Sequence, residues 1–185
     1  MNRTHSSASL GIPAILVTVA VLLSGGCATA PAELEFRDHF SVDVSIDDGQ
    51  TVHAIGDTLQ LSVRVSHDAQ VVVFNTNAHD QTTVLFPNAS APENRLIGGQ
   101  TTQLPGPDAT YLLRVGPPEG QNRIRVIATT SEHPMLNPAA LTLSGGPFPA
   151  YSESTDSVTR RIQIVATEHH DVHWAMQDLV FRVVP

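Results

Sequence analysis

Apolar and polar residues alternate along most of the chain with the two-residue period of a half-buried β-strand. The alternation is clearest in four segments: VDVSI at 42–46, LQLSVRV at 59–65, RIRV at 123–126 and RIQIV at 161–165. Runs of β-branched or aromatic residues have the length of further strands at 71–74, 111–115 and 179–184. The pattern therefore predicts seven or more short strands.

Residues typical of turns separate these predicted strands. Gly, Pro and Asp cluster at 47–49, 55–57, 104–108 and 116–120. No segment shows a long amphipathic helical period, and residues 137–143 suggest only one short turn or helix. We therefore expect an all-β fold, an antiparallel immunoglobulin-like β-sandwich over residues 36–185, with 131–157 as a long surface loop or mobile excursion.

Residues 1–26 are typical of a lipoprotein signal peptide. Arg3 precedes an apolar run at 10–23, and Ser24-Gly25-Gly26 stands directly before Cys27. The run is shorter than the roughly 20 residues of a membrane-spanning helix. The small residues before the cysteine resemble a bacterial lipobox, which predicts cleavage before Cys27 and its lipidation.

Cys27 is the only cysteine of the chain. A cysteine used for lipid leaves none for a disulfide, so the folded part must hold by its core alone. Acyl chains would anchor the protein to a membrane, each buried methylene contributing about 0.8 kcal/mol. By resemblance to Gram-negative lipoproteins, Ala28 in place of an inner-membrane retention Asp predicts the outer membrane, facing the periplasm. Residues 27–35 are then the lipidated cysteine and a linker.

The charge balance narrows the classes of partner. The formal net charge is -8 at pH 7, and the chain contains no lysine. An acidic chain is poorly suited to bind nucleic acid, whose phosphates need a basic face. The missing lysine also excludes Schiff-base chemistry and the Walker A phosphate loop. Arginine is therefore the only side chain that carries a permanent positive charge.

Five motifs in series identify a family. GDTLQLSVRV, VVVFN, TVLFPN, ENRLIGGQT and RIRVIATT follow one another between residues 56 and 130. Their order and spacing resemble the bacterial family called domain of unknown function 4384, and the Leu-Phe-Pro-Asn corner with the Asn-Arg pair is the specific part. The resemblance implies a strand-rich accessory module, because members occur as lipoproteins or as additions to kinase-like or caspase-like domains. No shared activity is known for the family.

The Asn94-Arg95 pair of that motif is a candidate contact. A planar guanidinium binds backbone carbonyls or a carboxylate through several donors, so Arg95 can fasten its loop onto the sandwich. The same pair can instead bind an anionic partner protein. Both interpretations stay open from the sequence.

The stretch EHHDVHW at 168–174 concentrates histidines. If this stretch is a strand, His169, Asp171 and His173 share one of its faces; if it is a helix, His169 and His173 lie on the same side. These side chains, with His170, are therefore candidate ligands for zinc or copper. The competing interpretation is a polar loop before a last strand, and the sequence indicates no bound cofactor.

Catalysis finds little support in the residues. Neither a Gly-x-Ser-x-Gly elbow nor a Ser-x-x-Lys motif is present, and the carboxylates lie in turn-like contexts. We therefore expect a lipid-anchored, non-enzymatic binding or assembly module of the cell envelope that contacts an envelope protein. Two alternatives stay open: a periplasmic metal-binding protein using residues 169–173, and an envelope hydrolase, which needs a carboxylate cluster or a Ser-His pair.

Overall fold

The computed structural model describes residues 39–142 and 146–185. The predicted signal peptide, Cys27 and the linker lie outside the described residues. Within them the chain forms thirteen β-strands, one α-helix and one 3-10 helix. The strands are β1 (Val42–Ile46), β2 (Val52–Ala54), β3 (Thr58–Leu59), β4 (Leu61–Val65), β5 (Ala69–Thr76), β6 (Thr82–Phe86), β7 (Arg95–Leu96), β8 (Thr101–Leu104), β9 (Leu113–Arg114), β10 (Gly120–Thr129), β11 (Leu141–Thr142), β12 (Ala150–Tyr151) and β13 (Trp174–Val184). The 3-10 helix is Pro138–Ala140 and helix α1 is Thr155–Glu168.

The strands form three sheets. The large sheet has eight strands in the order β11-β12-β6-β5-β10-β13-β2, with β7 pairing beside β5. The small sheet has the order β1-β4-β8, and β3 pairs with β9. All pairings are antiparallel except that of β13 with β2, which is parallel. The strand-rich prediction is confirmed, but the large sheet is mixed rather than purely antiparallel.

The small and large sheets share one hydrophobic cluster, which we call the inter-sheet core. Period-two alternation places every second side chain of β1 and β4 in this core, and Leu61, Val63 and Val65 are fully buried there. The large sheet contributes inward residues of β5, β10 and β13, among them Val73 and Val126. This alternation is the pattern that the sequence displays.

Helix α1 covers part of the other face of the large sheet, and its contacts form a second cluster, the helix layer. Val158 and Ile162 of the helix pack with Phe74 and Ile127 of the sheet. The predicted strand at 161–165 is therefore wrong. Ser154 caps the helix by accepting a hydrogen bond from the Ser157 N–H, and the buried residues recur at a helical spacing.

Several predicted strands are shorter than the sequence suggested. The 59–65 segment is interrupted at Gln60 between β3 and β4, and only Leu113–Arg114 of 111–115 pairs as a strand. The predicted short helix at 137–143 is the 3-10 helix, followed by β11. The 131–157 interval is not wholly loop, because it also holds β12 and the first turn of α1.

Among the described residues, no helix has both the length and the apolar character needed to cross a lipid bilayer.

Candidate functional site

The outer face of the large sheet is covered by α1 only over part of its width. We call the uncovered part the open face. Two cross-strand rows build it: Thr76, Arg123 and Val180 in one, and Gln121, Arg182 and Val52 in the next. Residues that pair directly across neighbouring strands point to the same side of the sheet, so these six side chains share one surface.

The open face exposes apolar side chains. Val52 is 48% exposed and Val180 is 45% exposed, whereas their neighbours His53 and Phe181 point inward and contact each other edge to face. Two adjoining depressions of about 240 and 520 Å³ share Gln121 and Val180 in their linings. A shallow groove therefore runs across β10 and β13, with Val52 and Val180 among polar side chains.

Two arginines flank this groove. The ion pairs of arginine among the described residues involve Arg95, Arg125 and Arg161, and neither Arg123 nor Arg182 takes part in one. The Nε of Arg123 is buried and has no hydrogen-bond partner in the described part of the chain. A half-buried guanidinium that takes part in no ion pair is an incomplete site for an anion, since a desolvated charge needs a partner.

Arg125, in the row next to the open face, is an arginine that is paired with carboxylates. Arg125 is buried and donates from Nε and Nη2 to the carboxylate of Asp178, at 2.7 and 2.8 Å. Its Nη1 donates to Asp156 and to the hydroxyl of Thr155 at the start of α1. The hydrogen bond with Asp178 is the main cause that raises the pKa of Arg125 above its usual value.

Asp156 of α1 is the second carboxylate that pairs with Arg125. The hydrogen bond from Arg125 holds the pKa of the Asp156 carboxyl below its usual value, and the charges of Arg123 and Arg160 act in the same direction. The charge of Arg125 is balanced by Asp178 and Asp156, so the positive charge of the open face comes from Arg123 and Arg182, which form no ion pair among the described residues. The Asp80 carboxylate lines the groove beside Arg123 and limits this positive field.

The arrangement can bind an anionic, partly apolar segment. Guanidinium groups accept carboxylates in a forked geometry, and the valines between them offer apolar contact.

The predicted pair Asn94-Arg95 lies away from the open face, at β7. Arg95 donates to Asp68 at 3.3 Å, and the Asn94 carbonyl accepts from the Val71 N–H at 2.8 Å. The first cause that lowers the pKa of Asp68 is the N–H of Gly98, and Arg95 is the second. These contacts fasten the loop to β5, while binding of a partner by Asn94 or Arg95 stays a prediction.

The rest of the motif is also held by local contacts. Asn88 is buried; its Nδ2 donates to the Leu85 carbonyl at 2.8 Å and its Oδ1 accepts from Ser90 and Ala91. A Cβ on Gly98 would lie 2.6 Å from the Cα of His67, so only glycine allows this approach. The hydrogen bonds of Asn88 and the close approach at Gly98 therefore hold the Leu-Phe-Pro-Asn corner and the following loop in place.

Residues 52–132 match the family model described as Domain of unknown function (DUF4384). The family resemblance is confirmed. The matched segment, the DUF4384 segment below, runs from β2 through β10, and α1 and β13 follow it in the chain. A comparison with curated proteins gave no match.

The predicted metal ligands lie after the DUF4384 segment, on the turn between α1 and β13. Residues 169–173 are neither strand nor helix, so neither predicted shared face exists. His169 stacks on His133 with ring centroids 6.0 Å apart, and His173 lies near the ring of Phe40. In 39–142 and 146–185 no three His, Cys, Asp or Glu side chains form a group that could hold a metal ion.

A Ser-His pair does occur, as the hydrolase alternative required. Ser131 Oγ lies 3.1 Å from His133 Nδ1, and the same oxygen accepts from the His133 backbone N–H. This is a local turn in which the serine is buried and the histidine exposed. No carboxylate of the described residues bonds the His133 ring, so the orienting group of a catalytic triad is absent there.

The residues of the open face were not predicted as a site. Arg123 was seen only as the polar partner in an alternating strand, and Arg182 as part of a last strand. The available signal was that arginines fall on the outward phase of β10 and β13, in a chain that has no lysine. That phase becomes informative only when the strand pairing brings Arg123, Arg182 and Val52 together.

Proposed function

We propose that this protein is a lipid-anchored binding or assembly module of the cell envelope, facing the periplasm from the outer membrane. The open face is its binding surface, and the partner presents an extended acidic segment with apolar residues. The observation that carries the proposal is the pair Arg123 and Arg182, which form no ion pair with the described residues and lie beside the exposed Val52 and Val180. No catalytic role is included.

The chemistry of the surface supports a protein partner. Interfaces combine an apolar centre with arginine, and a positive patch on a chain of net charge -8 selects an acidic surface from the mixture of envelope proteins. An extended segment suits the geometry because the groove runs across neighbouring strands, where backbone and side chains recur at regular spacing.

The fold supports a scaffold that presents this face rigidly. We assign the small and large sheets to an immunoglobulin-like β-sandwich, which rests on their shared core. The arginine rows lie on strands rather than loops, so their spacing is fixed by the β10-β13 register. Rigid presentation lowers the ordering entropy lost on binding.

The anchor rests on the sequence. Cys27 directly follows Ser24, Gly25 and Gly26 after an apolar run. Lipidation there would confine the module to a membrane surface, which favours encounter with partners confined to the same surface.

Site-specific photocrosslinking tests the binding surface. A benzophenone amino acid at Val180, in cells, is expected to form one discrete adduct. Because Leu112 is also exposed but lies off the open face, the same amino acid at Leu112 is the matched control and should not form that adduct. Reversing both charges, with Arg123→Glu and Arg182→Glu, should remove the Val180 adduct.

Two results would contradict the surface assignment. One is an adduct from Val180 that persists after both charge reversals, and the other is an equal adduct from Leu112. After the partner has been purified, its affinity should fall as salt rises, since exposed charges are screened over about 10 Å at 0.1 M salt.

The anchor is tested separately. Cys27→Ser should abolish labelling of the protein with palmitate and release it from the membrane fraction. Labelling that persists in this variant would refute lipidation at Cys27. Because the crosslinking experiment does not depend on this outcome, either part of the proposal can fail alone.

A further inference from the structure

A second cavity lies under helix α1, apart from the open face. Its volume is about 190 Å³, and its lining is almost entirely apolar, supplied by Pro134, Met135, Ile162 and Val165, with Thr129 and Arg161 beside them. Interior voids much larger than a water molecule are uncommon in protein cores. A cavity of this size between the helix and the 131–135 segment therefore calls for an explanation.

Hydrogen bonds connect the two walls of the cavity. Arg161 donates from Nη1 to the Met135 carbonyl at 2.9 Å, and its Nη2 pairs with Glu153. Glu153 also accepts from the Tyr151 hydroxyl and from Asn137 Nδ2. This network fixes the spacing between the 131–135 segment and the helix at the side of the cavity.

The lining offers few partners to water. A water molecule needs two to four polar partners, whereas the walls of this cavity, which is partly open to solvent, are almost entirely apolar. The aliphatic walls provide van der Waals contact for an apolar group of similar size. The interior therefore favours a hydrocarbon ligand.

The rim has a different character. Ser131 and His133 line it and are joined through Oγ and Nδ1 at 3.1 Å, and the exposed ring of His133 stacks on His169 at the end of α1. Hydroxyl and imidazole groups form hydrogen bonds with a carboxylate or an alcohol. An apolar interior below a polar rim matches a molecule with a short chain and a polar head.

We propose that this cavity binds the short alkyl chain of an amphiphile, with the head group at Ser131 and His133. The site lies outside the open face and does not depend on the proposed binding of a partner protein. Binding is non-covalent, and the proposal assigns no reaction to the Ser-His pair.

The test uses 1-hexanol and hexanoate as probes of the full chain in phospholipid nanodiscs, followed through the methyl resonances of methionine. Met135 lines the cavity and should shift saturably, whereas Met176 lies outside the lining and serves as an internal control. Val165→Phe fills the cavity and should weaken both probes by about tenfold or more. Ile164→Phe makes the comparable change on the solvent side of the same helix, where residue 164 is 59% exposed, and should leave binding unchanged.

His133→Ala provides a second test that does not rely on a filled cavity. It should weaken both probes, since it removes a rim group and leaves the apolar walls. The proposal is overturned if neither probe shifts the methyl resonance of Met135 saturably, or if the shift survives Val165→Phe. It is also overturned if benzene binds while 1-hexanol and hexanoate do not. Unchanged binding in His133→Ala would overturn the assignment of the head group.

Discussion

The two faces of the large sheet are covered in different ways. On one face the inter-sheet core is formed by alternating aliphatic residues of two sheets, with Leu61, Val63 and Val126 fully buried. On the other face the helix layer combines fewer apolar contacts with the buried guanidinium of Arg125 and the Arg161-Glu153 pair. The helix layer also contains the 190 Å³ cavity.

The difference shows how stability and binding are divided in this molecule. A core that consists of interlocking aliphatic side chains tolerates little change, because every methylene removed leaves a void. A layer that is held by directional ion pairs can keep a cavity open and leave part of the outer face of the large sheet uncovered. Both candidate sites lie on this second side.

The largest expected effect is that of Leu61→Ala in the inter-sheet core. Leu61 is fully buried, and the substitution should lower the free energy of unfolding by about 3 kcal/mol, within the usual range for buried leucine. Ile162→Ala in the helix layer should have a smaller effect, about 2 kcal/mol, because Ile162 already borders a cavity. Urea unfolding followed by circular dichroism and by the fluorescence of Trp174 measures both.

An Ile162→Ala effect equal to or larger than that of Leu61→Ala would break the comparison. Trp174, the only tryptophan, packs against the helix layer. Its fluorescence should therefore report a loosened helix layer in Ile162→Ala at lower urea than the sheet signal does.

Arg125→Leu should have the next largest effect. Removing one partner of a buried ion pair leaves the other charge uncompensated, at about 3–5 kcal/mol. Asp178 retains 31% exposure and Asp156 more, so we expect about 2 kcal/mol here. The double change Arg125→Leu with Asp178→Leu should recover part of the loss, and an additive loss would contradict this account.

Acid should weaken the helix layer through Glu153. The hydrogen bond from Asn137 Nδ2, followed by that from Arg161, holds the pKa of Glu153 below its usual 4.5. A depressed folded-state pKa stabilises the fold above the unfolded pKa, and this contribution is lost as pH falls through the folded value. Glu153→Gln should therefore be less stable than the parent at about pH 7, and the difference should disappear well below pH 4.5. A difference that is independent of pH in urea unfolding would rule out this linkage.

The smallest effect should be that of Arg95→Ala. The Arg95 side chain is 68% exposed and that of Asp68 is 51% exposed, so solvent screens their ion pair and it should contribute little to the free energy of unfolding. Asp68→Ala should cost more than Arg95→Ala, because it also removes the acceptor of the Gly98 N–H. Thermal unfolding compares the two, and the reverse order would show that the ion pair is the main fastening.

Strands β1 and β4 of the small sheet were predictable because each has one buried and one exposed face. The VDVSI segment coincides with β1, since alternation directly records which side chains meet the core. The RIQIV segment alternates for a different reason: Ile162 is buried in the helix layer, while Ile164 points to solvent from the same helix. Five residues do not separate these cases, whereas the Ser154 cap with Val158, Ile162 and Val165 at helical spacing does.

The candidate site was predictable only in part. The Asn-Arg motif identified the DUF4384 segment and the corner that it builds, because those contacts are local. The open face depends on the parallel pairing of β2 with β13, which brings Val52 beside Arg182 from a distant part of the sequence. No local pattern encodes this pairing or that of β10 with β13, which places Arg123 near Arg182, so neither proximity could be read from residue types.

The pairing of β13 with β10 and β2 also affects when the domain can fold. β13 lies between β10 and β2 in the large sheet, so the sheet is incomplete until the residues of β13 have joined strands that were synthesised much earlier. Contacts between distant segments form slowly, because the loop-closure entropy is lost before the contacts are gained.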